Sequence, residues 1–455
     1  MRLTFKNGIH PHDKKISTSG LPIETVQPKP GSIMVYPLSQ HAGAPCRALV
    51  SPGDSVLLGQ KIADSDAYVS APVHSSVSGV VKEIKRTLTP SGLYCDAVFI
   101  ENDGENRAAE FTRRSLDDIK KMPRQELVAI AREAGIVGMG GAGFPTHVKL
   151  SPPPGDKISA VIINAAECEP YLTSDHRVLL EETERLIDGI RVLLTLFPEA
   201  RAIIGIESNK TDAVNKLNAL LSEIKEDRIS LAVLVPKYPQ GSEKQLISAI
   251  LRREVPSGGL PSQAGVVVLN ADTTIALQRA VLRGRPLIRR IVTVDGSRAP
   301  KLGNYKVRLG MTYRDFVEHM GGFKQAPAKI ISGGPMMGVC LFNLDAPIIK
   351  TSSAFLCFGE GEVKIHSERP CIRCGRCVER CPLGLMPLEL NAAATAKETR
   401  EFIQNNGMDC MECGSCSYVC PSKRHLAQSI RTIKRAVMAE RRKKADAPAR
   451  EVAKT

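Results

Sequence analysis

CIRCGRCVERCP at 371–382 and CMECGSCSYVCP at 410–421 decide how the C-terminal part of this chain folds. Cys371, Cys374, Cys377 and Cys381 are followed by Pro382, and the pattern returns 39 positions later as Cys410, Cys413, Cys416, Cys420 and Pro421. Iron in a sulfide cube takes a tetrahedral set of soft thiolates. The two-residue gaps let three cysteines of one short loop reach three corners of one cube, while the fourth corner comes from elsewhere. Paired CxxC also suits structural zinc. Zinc, however, takes its four ligands in two pairs and accounts for neither the third spaced Cys nor the Pro after each fourth one. The doubled run therefore predicts two 4Fe-4S clusters.

Both runs resemble those of bacterial two-cluster ferredoxins, where the last Cys of each run ligates the other cluster. The resemblance implies one cluster on Cys371, Cys374, Cys377 and Cys420, and a second on Cys410, Cys413, Cys416 and Cys381. Cys46, Cys95, Cys168, Cys340 and Cys357 stand singly, as buried apolar thiols do in a reducing compartment. A disulfide framework is not expected.

Residues 1–31 carry no apolar h-region, and no stretch approaches the ~18 apolar residues of a spanning helix. The expectation is a soluble or peripheral protein on the cytoplasmic side. A length of 455 residues suggests about three or four domains. The net charge of +14 is concentrated: 423–455 holds 11 Lys or Arg against three Asp or Glu. Such a tail attracts anionic lipid, an acidic partner or nucleic acid. Nucleic acid is the weakest reading, since the tail has no aromatic residue for base stacking. Leu426, Ile430, Ile433, Val437 and Met438 recur at helical spacing, predicting a basic amphipathic helix. It either packs on the cluster module and frays after Lys444 or meets a membrane or partner.

At the other end, VSPGDSVLLGQKIA and APVHSSVSGVV, within 50–81, read as short strands with tight turns and resemble the flattened barrel of biotinyl and lipoyl domains. Those carriers need a Lys on the hairpin between the two halves. None occurs from Ile62 to Val81, so a structural or docking module is expected. His10, His12 and His74 are read as surface polar groups at loop positions.

From Arg124 the pattern is helical and runs into Gly138-Met139-Gly140-Gly141-Ala142-Gly143-Phe144-Pro145. This is a poor Rossmann fingerprint, because a helix precedes it and a Pro closes it. Four glycines in six residues do leave the backbone free to lie against a flat ring or a phosphate. A strand at Ala160–Ile163 then ends at Asn164, and further strands at 202–206, 231–235 and 266–269 alternate with helices at 177–196 and 210–225. Polar groups at strand C-terminal ends sit where open α/β sheets bind ligands.

GMGGAGFPTHVKL at 138–150 and NAAECEP at 164–170 resemble the flavin loop and the acidic segment of the NADH-binding flavoprotein subunit of respiratory complex I. YPQGSEKQL from Tyr238 and LNADTTIAL from Leu269 resemble later segments of the same family. With the barrel, the GIHPHDKK stretch and the doubled Cys run, the whole order is similar to the RnfC subunit of the Rnf (Rsx) ion-translocating electron-transport complex. The resemblance implies that Gly138, Gly140, Gly141 and Gly143 line FMN, that Lys149 counters its charge and that Asn164 holds the ring edge. It further implies that Asn270 and Thr273 bind the phosphate, with Glu167, Glu169, Tyr238 and Glu243 on the nicotinamide side. Met139, where complex I usually has Arg, and Ser242, in place of the first of two glutamates, depart from the pattern.

Residues 290–294, 305–308 and 329–332 read as strands around a helix at 313–320, and resemble a β-grasp (SLBB-like) module. The predicted organisation is an N-terminal segment and barrel-sandwich domain (1–115), an α/β flavin-NADH domain (120–285), a β-grasp domain (286–350), an α-helical two-cluster ferredoxin module (360–425) and a basic helix with a frayed tail (426–455). Nicotinamide exchanges two electrons at once and a cluster one, and flavin joins the two regimes, so no side chain is needed as nucleophile or general acid. The expected function is a peripheral subunit on the cytoplasmic face of the cell membrane. It exchanges electrons between NAD(H) and the integral-membrane and iron-sulfur subunits of its complex, with ferredoxin entering through a partner. The alternatives are an iron-sulfur wire with a degenerate flavin domain and a soluble flavoprotein of the cobalamin-reductase type, although that family places its barrel after the clusters.

Overall fold

The fold was taken from a computed structural model, which describes residues 3–452, with side chains through 441. Its N-terminal barrel is two antiparallel sheets. One contains β1 (Ile33–Pro37), β2 (Gly79–Leu88) and β3 (Tyr94–Asn102), and the other is made of short strands around Lys61–Asp64 and Val73–His74. The hairpin that would present a carrier lysine is pinned to the next domain instead. Arg132 donates to the Asp64 carboxylate and to the Ser65 carbonyl (2.9 Å), and His147 Nε2 lies 2.9 Å from the Tyr68 carbonyl. His74 is not a surface group: it is buried within this hairpin, where burial and then the neighbouring Lys350 ammonium push its pKa down to about 3. His10 and His12 are exposed.

The second domain holds α1 (Arg124–Glu133), α2 (Thr146–Lys149), β4 (Ala160–Ala165), α3 (Ser174–Glu181), α4 (Thr183–Leu196), β5 (Arg201–Glu207), α5 (Thr211–Ile224), β6 (Ile229–Leu234), α6 (Glu243–Leu251), β7 (Val266–Asn270) and α7 (Ala271–Arg283). The four strands are parallel in the order β6-β5-β4-β7. Their near-continuous runs of Val, Ile and Leu suit a sheet covered on both faces. The helix expected over 177–196 is two helices, broken at Glu182, which leaves helical geometry at φ −125°. A single carboxylate there meets Arg185, Arg279 and Lys306.

A six-stranded sheet forms the third domain. It comprises β8 (Arg289–Asp295), β9 (Gly303–Arg308), β10 (Lys329–Ser332), β11 (Ala354–Phe358) and two short edge strands, Ile23–Thr25 and Val339–Cys340, and α8 (Tyr313–His319) packs on it. β11 lies past the expected boundary at 350, and Ile23–Thr25 comes from the N-terminal segment to pair with β9. Tyr36, Val98 and Ile100 of the barrel share one core with Val292, Phe316 and Phe355 of this domain. In the cluster module, Leu390 and Phe402 pack against Ile430, Ile433 and Val437 of α9 (Leu426–Val452). The apolar stripe of the basic helix is thus consumed by the module itself, leaving Met438 exposed. The helical backbone continues past Lys444, where the sequence predicts fraying. Residues 453–455 and the side chains from 442 onward lie outside the described residues. Among the described residues no helix is long and apolar enough to cross a membrane.

Candidate functional site

The chain visits β4, β5 and β6 in one direction and then returns to the other side of β4 to lay down β7. Strand order therefore reverses between β4 and β7, and such a switch point leaves a crevice outside the strands' carboxyl ends. Asn164, the penultimate residue of β4, and Asn270, the last of β7, are register partners. The glycine-rich loop arches over the same place. Gly140 and Gly141 are exposed at its crest; a Cβ on Gly140 would meet the Asn270 side chain at 3.2 Å, whereas one on Gly141 would meet nothing within 4 Å. Gly143, at φ +70°, lies between the barrel and the β-grasp domain, where a Cβ would come 3.3 Å from His41 and 2.7 Å from Thr351. Gly138 closes the loop by donating its N–H to the Phe144 carbonyl (2.8 Å).

Lys149 ends α2 beside the crevice, paired with Glu243 at the start of α6 and 3.3 Å from the Val268 carbonyl. The Asn164 amide donates to the Gly241 carbonyl at 2.7 Å. Asn270 caps α7, its oxygen accepting from the N–H groups of Asp272 and Thr273, and its amide donates to Asp175 at 2.6 Å. Burial raises the Asp175 pKa to about 7, with Glu167 and Asp272 adding to it. Thr273 is buried and accepts from the Met139 N–H (3.0 Å). Met139 itself is buried behind the loop rather than on its open face. Sequence reasoning missed Arg290, which pairs with Asp272 and donates to the Met139 carbonyl (3.2 Å) and the Ser352 carbonyl (2.9 Å). This ties the back of the loop to the β-grasp sheet. Only a long-range contact carries that role, so no local signal could have found it.

The acidic segment is arranged differently from the expectation that it faces nicotinamide. Glu167 accepts from the N–H groups of Asp175 (2.6 Å) and His176 (3.2 Å), filling the N-terminus of α3. Glu169 accepts from the N–H groups of Met336 (3.0 Å) and Met337 (2.9 Å), and burial raises its pKa to about 7. Tyr238 is buried, its hydroxyl donating to the Cys413 carbonyl at 2.7 Å. All three are spent on protein contacts because each lies where another element packs over the segment. Of the residues placed on the nicotinamide side by resemblance, Glu243 alone faces the crevice, with its carboxylate on Lys149.

Cys371, Cys374 and Cys377 line one pocket with Cys420. Burial raises the Cys410 thiol to about 11 and that of Cys416 to about 12, and Cys381 acts on both alongside their own run. Among the described residues no three His, Cys, Asp or Glu converge on the position of a single metal ion; the thiolates around a four-iron cube stand further apart than the ligands of one ion. Both sets fit a cluster, and the open face of the loop at the switch point fits a flat ring. The remaining cysteines are not uniformly buried: Cys46 and Cys357 are, whereas Cys340 is exposed.

Comparison with known proteins follows this division. The RnfC barrel sandwich hybrid domain family matches residues 3–105, the Nuo51 FMN-binding domain family 131–279, the SLBB domain family 291–339 and the 4Fe-4S dicluster domain family 362–424. The dicluster match replaces the zinc alternative. These modules define an oxidoreductase subunit that joins an FMN domain to iron-sulfur centres. The C subunit of the proton-translocating ferredoxin:NAD(+) oxidoreductase complex of Clostridium ljungdahlii is 44% identical over 95% of this chain and 94% of its own length. Its counterpart in the Na(+)-translocating complex of Acetobacterium woodii is 42% identical over 97% and 98%. The C subunit of the Cronobacter sakazakii ion-translocating oxidoreductase complex is 38% identical over 98% of this chain and 57% of its own length. The chain belongs to the RnfC family, the C subunits of the Rnf-type ion-translocating oxidoreductase complexes. An NAD+-reducing [NiFe]-hydrogenase aligns at a TM-score of 0.48 and 18% identity, over 72% of this chain and 63% of that one, a likeness that carries no weight in the assignment.

Proposed function

We propose that this subunit exchanges electrons between NAD(H) and the other redox subunits of a ferredoxin:NAD+ oxidoreductase complex, through FMN at the switch point and two 4Fe-4S clusters on the crossed cysteine sets. The observation that carries the reading is the pairing of Asn164 with Asn270 beneath the exposed glycines, in the same chain as a pocket lined by Cys371, Cys374, Cys377 and Cys420 and a second group of cysteines around Cys410 and Cys416. Bound FMN would supply the step between paired and single electrons. Gly140 and Gly141 offer backbone without Cβ obstruction, Gly138 and Gly143 shape the loop, and Lys149 places a cation beside the crevice. Asn164 fixes Gly241 at the crevice edge. Asn270 and Thr273 hold the start of α7, whose positive dipole end favours a phosphate. Glu243 is the group left to meet a dinucleotide; Glu167 and Glu169 hold the loop in shape. Partners would be the membrane-embedded and iron-sulfur subunits of the complex, on the cytoplasmic face, with ferredoxin acting through one of them.

Anaerobic titration with NADH, followed by optical and paramagnetic spectra with flavin extracted from the same sample, tests this reading. Flavin bleaching and then cluster reduction are expected. Clusters that dithionite reduces but NADH does not, in a protein retaining no flavin, would instead establish the iron-sulfur wire, the reading favoured by the engagement of Glu167, Glu169 and Tyr238 in protein contacts.

A further inference from the structure

The two cysteine sets are held differently. Side chains donate to the main-chain carbonyls of three members of the set Cys381, Cys410, Cys413 and Cys416: Asn7 to Cys381 at 3.1 Å, Lys434 to Cys410 at 2.5 Å and Tyr238 to Cys413 at 2.7 Å. Among the described residues no side chain donates to a carbonyl of Cys371, Cys374, Cys377 or Cys420. Two of the three donors come from outside the cluster module. Tyr238 follows β6 in the flavin domain, and its main chain exchanges hydrogen bonds with Ile9 in both directions at 2.9 Å. Asn7 lies two residues before Ile9, and Gly8 between them donates to the Arg380 carbonyl (3.3 Å). Gln245 of α6 adds a bond to the Pro382 carbonyl (3.1 Å).

The same loop reaches the flavin site at its other end. Gly241, whose carbonyl takes the Asn164 amide, donates its own N–H to Cys168 Sγ (3.3 Å), and Cys168 packs with Tyr238 and Cys413. The other set faces away: Cys371 and Cys374 are exposed, as is Ile372 between them.

We propose that Tyr238 and Asn7 are positioning residues that seat the Cys381/Cys410/Cys413/Cys416 cluster against the flavin domain as the inner centre, leaving the Cys371/Cys374/Cys377/Cys420 cluster as the outer one that meets a partner. The proposal rests on the two-cluster reading above. Neither residue carries an electron or a proton. Each donates to a ligand's main-chain carbonyl rather than to its sulfur, bringing partial positive charge up to the ligand, which stabilises the more negative, one-electron-reduced state of that cluster. Losing the donor therefore shifts the inner midpoint, and that midpoint alone, to a more negative value.

The experiment is a mediated dithionite titration of the full-length, cluster-loaded protein, followed by electron paramagnetic resonance. Tyr238→Phe keeps the ring, and Asn7→Gly keeps the left-handed backbone at position 7 (φ 64°). Each variant is expected to shift the same one of two midpoints negatively, that midpoint belonging to the signal lost in Cys381→Ser. Selective loss of that cluster's iron in either variant supports the same conclusion. Unchanged midpoints, equal shifts of both, or a shift confined to the signal lost in Cys420→Ser would overturn it. Dithionite needs neither flavin nor dinucleotide, so failure of the flavin reading leaves this result standing. A wild-type protein with one midpoint and half the iron overturns the two-cluster reading, and this proposal with it.

Discussion

Replacing Lys15 with Met removes the clamp on the acidic loop. Lys15 is buried, and its ammonium donates to the carbonyls of Glu167 (2.8 Å), Glu169 (2.9 Å) and Leu172, 4.0 Å from the Glu167 carboxylate. The loop needs such a clamp because Glu167 and Tyr171 both hold positive φ, at 47° and 70°, a strain of about 1–3 kcal/mol each. Met has similar length and no donor, so three buried carbonyls lose a partner at roughly 1–3 kcal/mol each. Against this, the variant no longer buries an ammonium, whose desolvation costs several kcal/mol. That cost is real here: burial lowers the Lys15 pKa. The balance is a local destabilisation of about 2–4 kcal/mol, equivalent to roughly 30- to 1,000-fold faster amide exchange. Hydrogen exchange read by mass spectrometry on peptides spanning 166–176 measures it, with β5 as the internal control. Unchanged protection in that peptide would refute the reasoning, because the loop would then hold its shape without the cation.

Gly141→Ala meets no protein atom within 4 Å, so the melting temperature should stay within a degree or two of wild type while flavin retention after gel filtration falls. Gly334→Ala, by contrast, places its Cβ on the Glu169 carboxylate and should destabilise by about 1–3 kcal/mol, seen as a lower denaturant midpoint. Glu182 tests the charge network at the helix break: burial alone would raise its pKa, but Arg279 and Lys306 outweigh it and hold it at about 2. Its contribution is therefore complete above the ordinary carboxylate pKa near 4.5 and lost as pH falls from there toward 2. It amounts to at most about 3 kcal/mol, and Glu182→Gln should flatten that part of the stability–pH curve. Finally, Cys410→Ser and Cys381→Ser should abolish one and the same paramagnetic signal, and Cys371→Ser and Cys420→Ser the other; iron analysis and spectra of the four proteins decide it.

What was legible in the sequence was whatever short-range spacing fixes. Three cysteines two residues apart can reach one cube wherever the loop lies, and Asn164 and Asn270 close short apolar runs whose alternation with helical stretches already marks an α/β domain. The direction of a polar side chain is different, because it is set by what packs over it. Glu167, Glu169 and Tyr238 stand in the expected segments, yet α3, the 333–338 turn and the Cys413 loop each claim one of them. The Arg290–Asp272 pair behind the glycine loop joins residues of two domains and leaves no local trace. His74 resembles a turn residue in sequence; only closure of the barrel against Lys350 shows it to be interior. The break at Glu182 was equally hidden, since both helices keep the same apolar period across it.

Residues 3–25 help tie the cluster module, whose core is its own, to the modules that share cores with one another. Leu3 bridges to Leu234 and Ile9 to Tyr238, Asn7 reaches Cys381, Lys15 holds the acidic loop, and Ile23–Thr25 becomes an edge strand on β9. The segment buries Phe5 and Ile9 and packs Leu3 and Ile23 on neighbouring cores, and main-chain and charged hydrogen bonds to elements fixed elsewhere set its position between them. Such bonds are directional and short-ranged, and a strap built from them transmits position rather than bulk. A shift of the cluster module relative to the flavin domain breaks the Ile9–Tyr238 pairing and the Asn7 bond together. The spacing between the flavin crevice and the Cys413 loop is therefore held cooperatively by a segment that contributes no cofactor ligand.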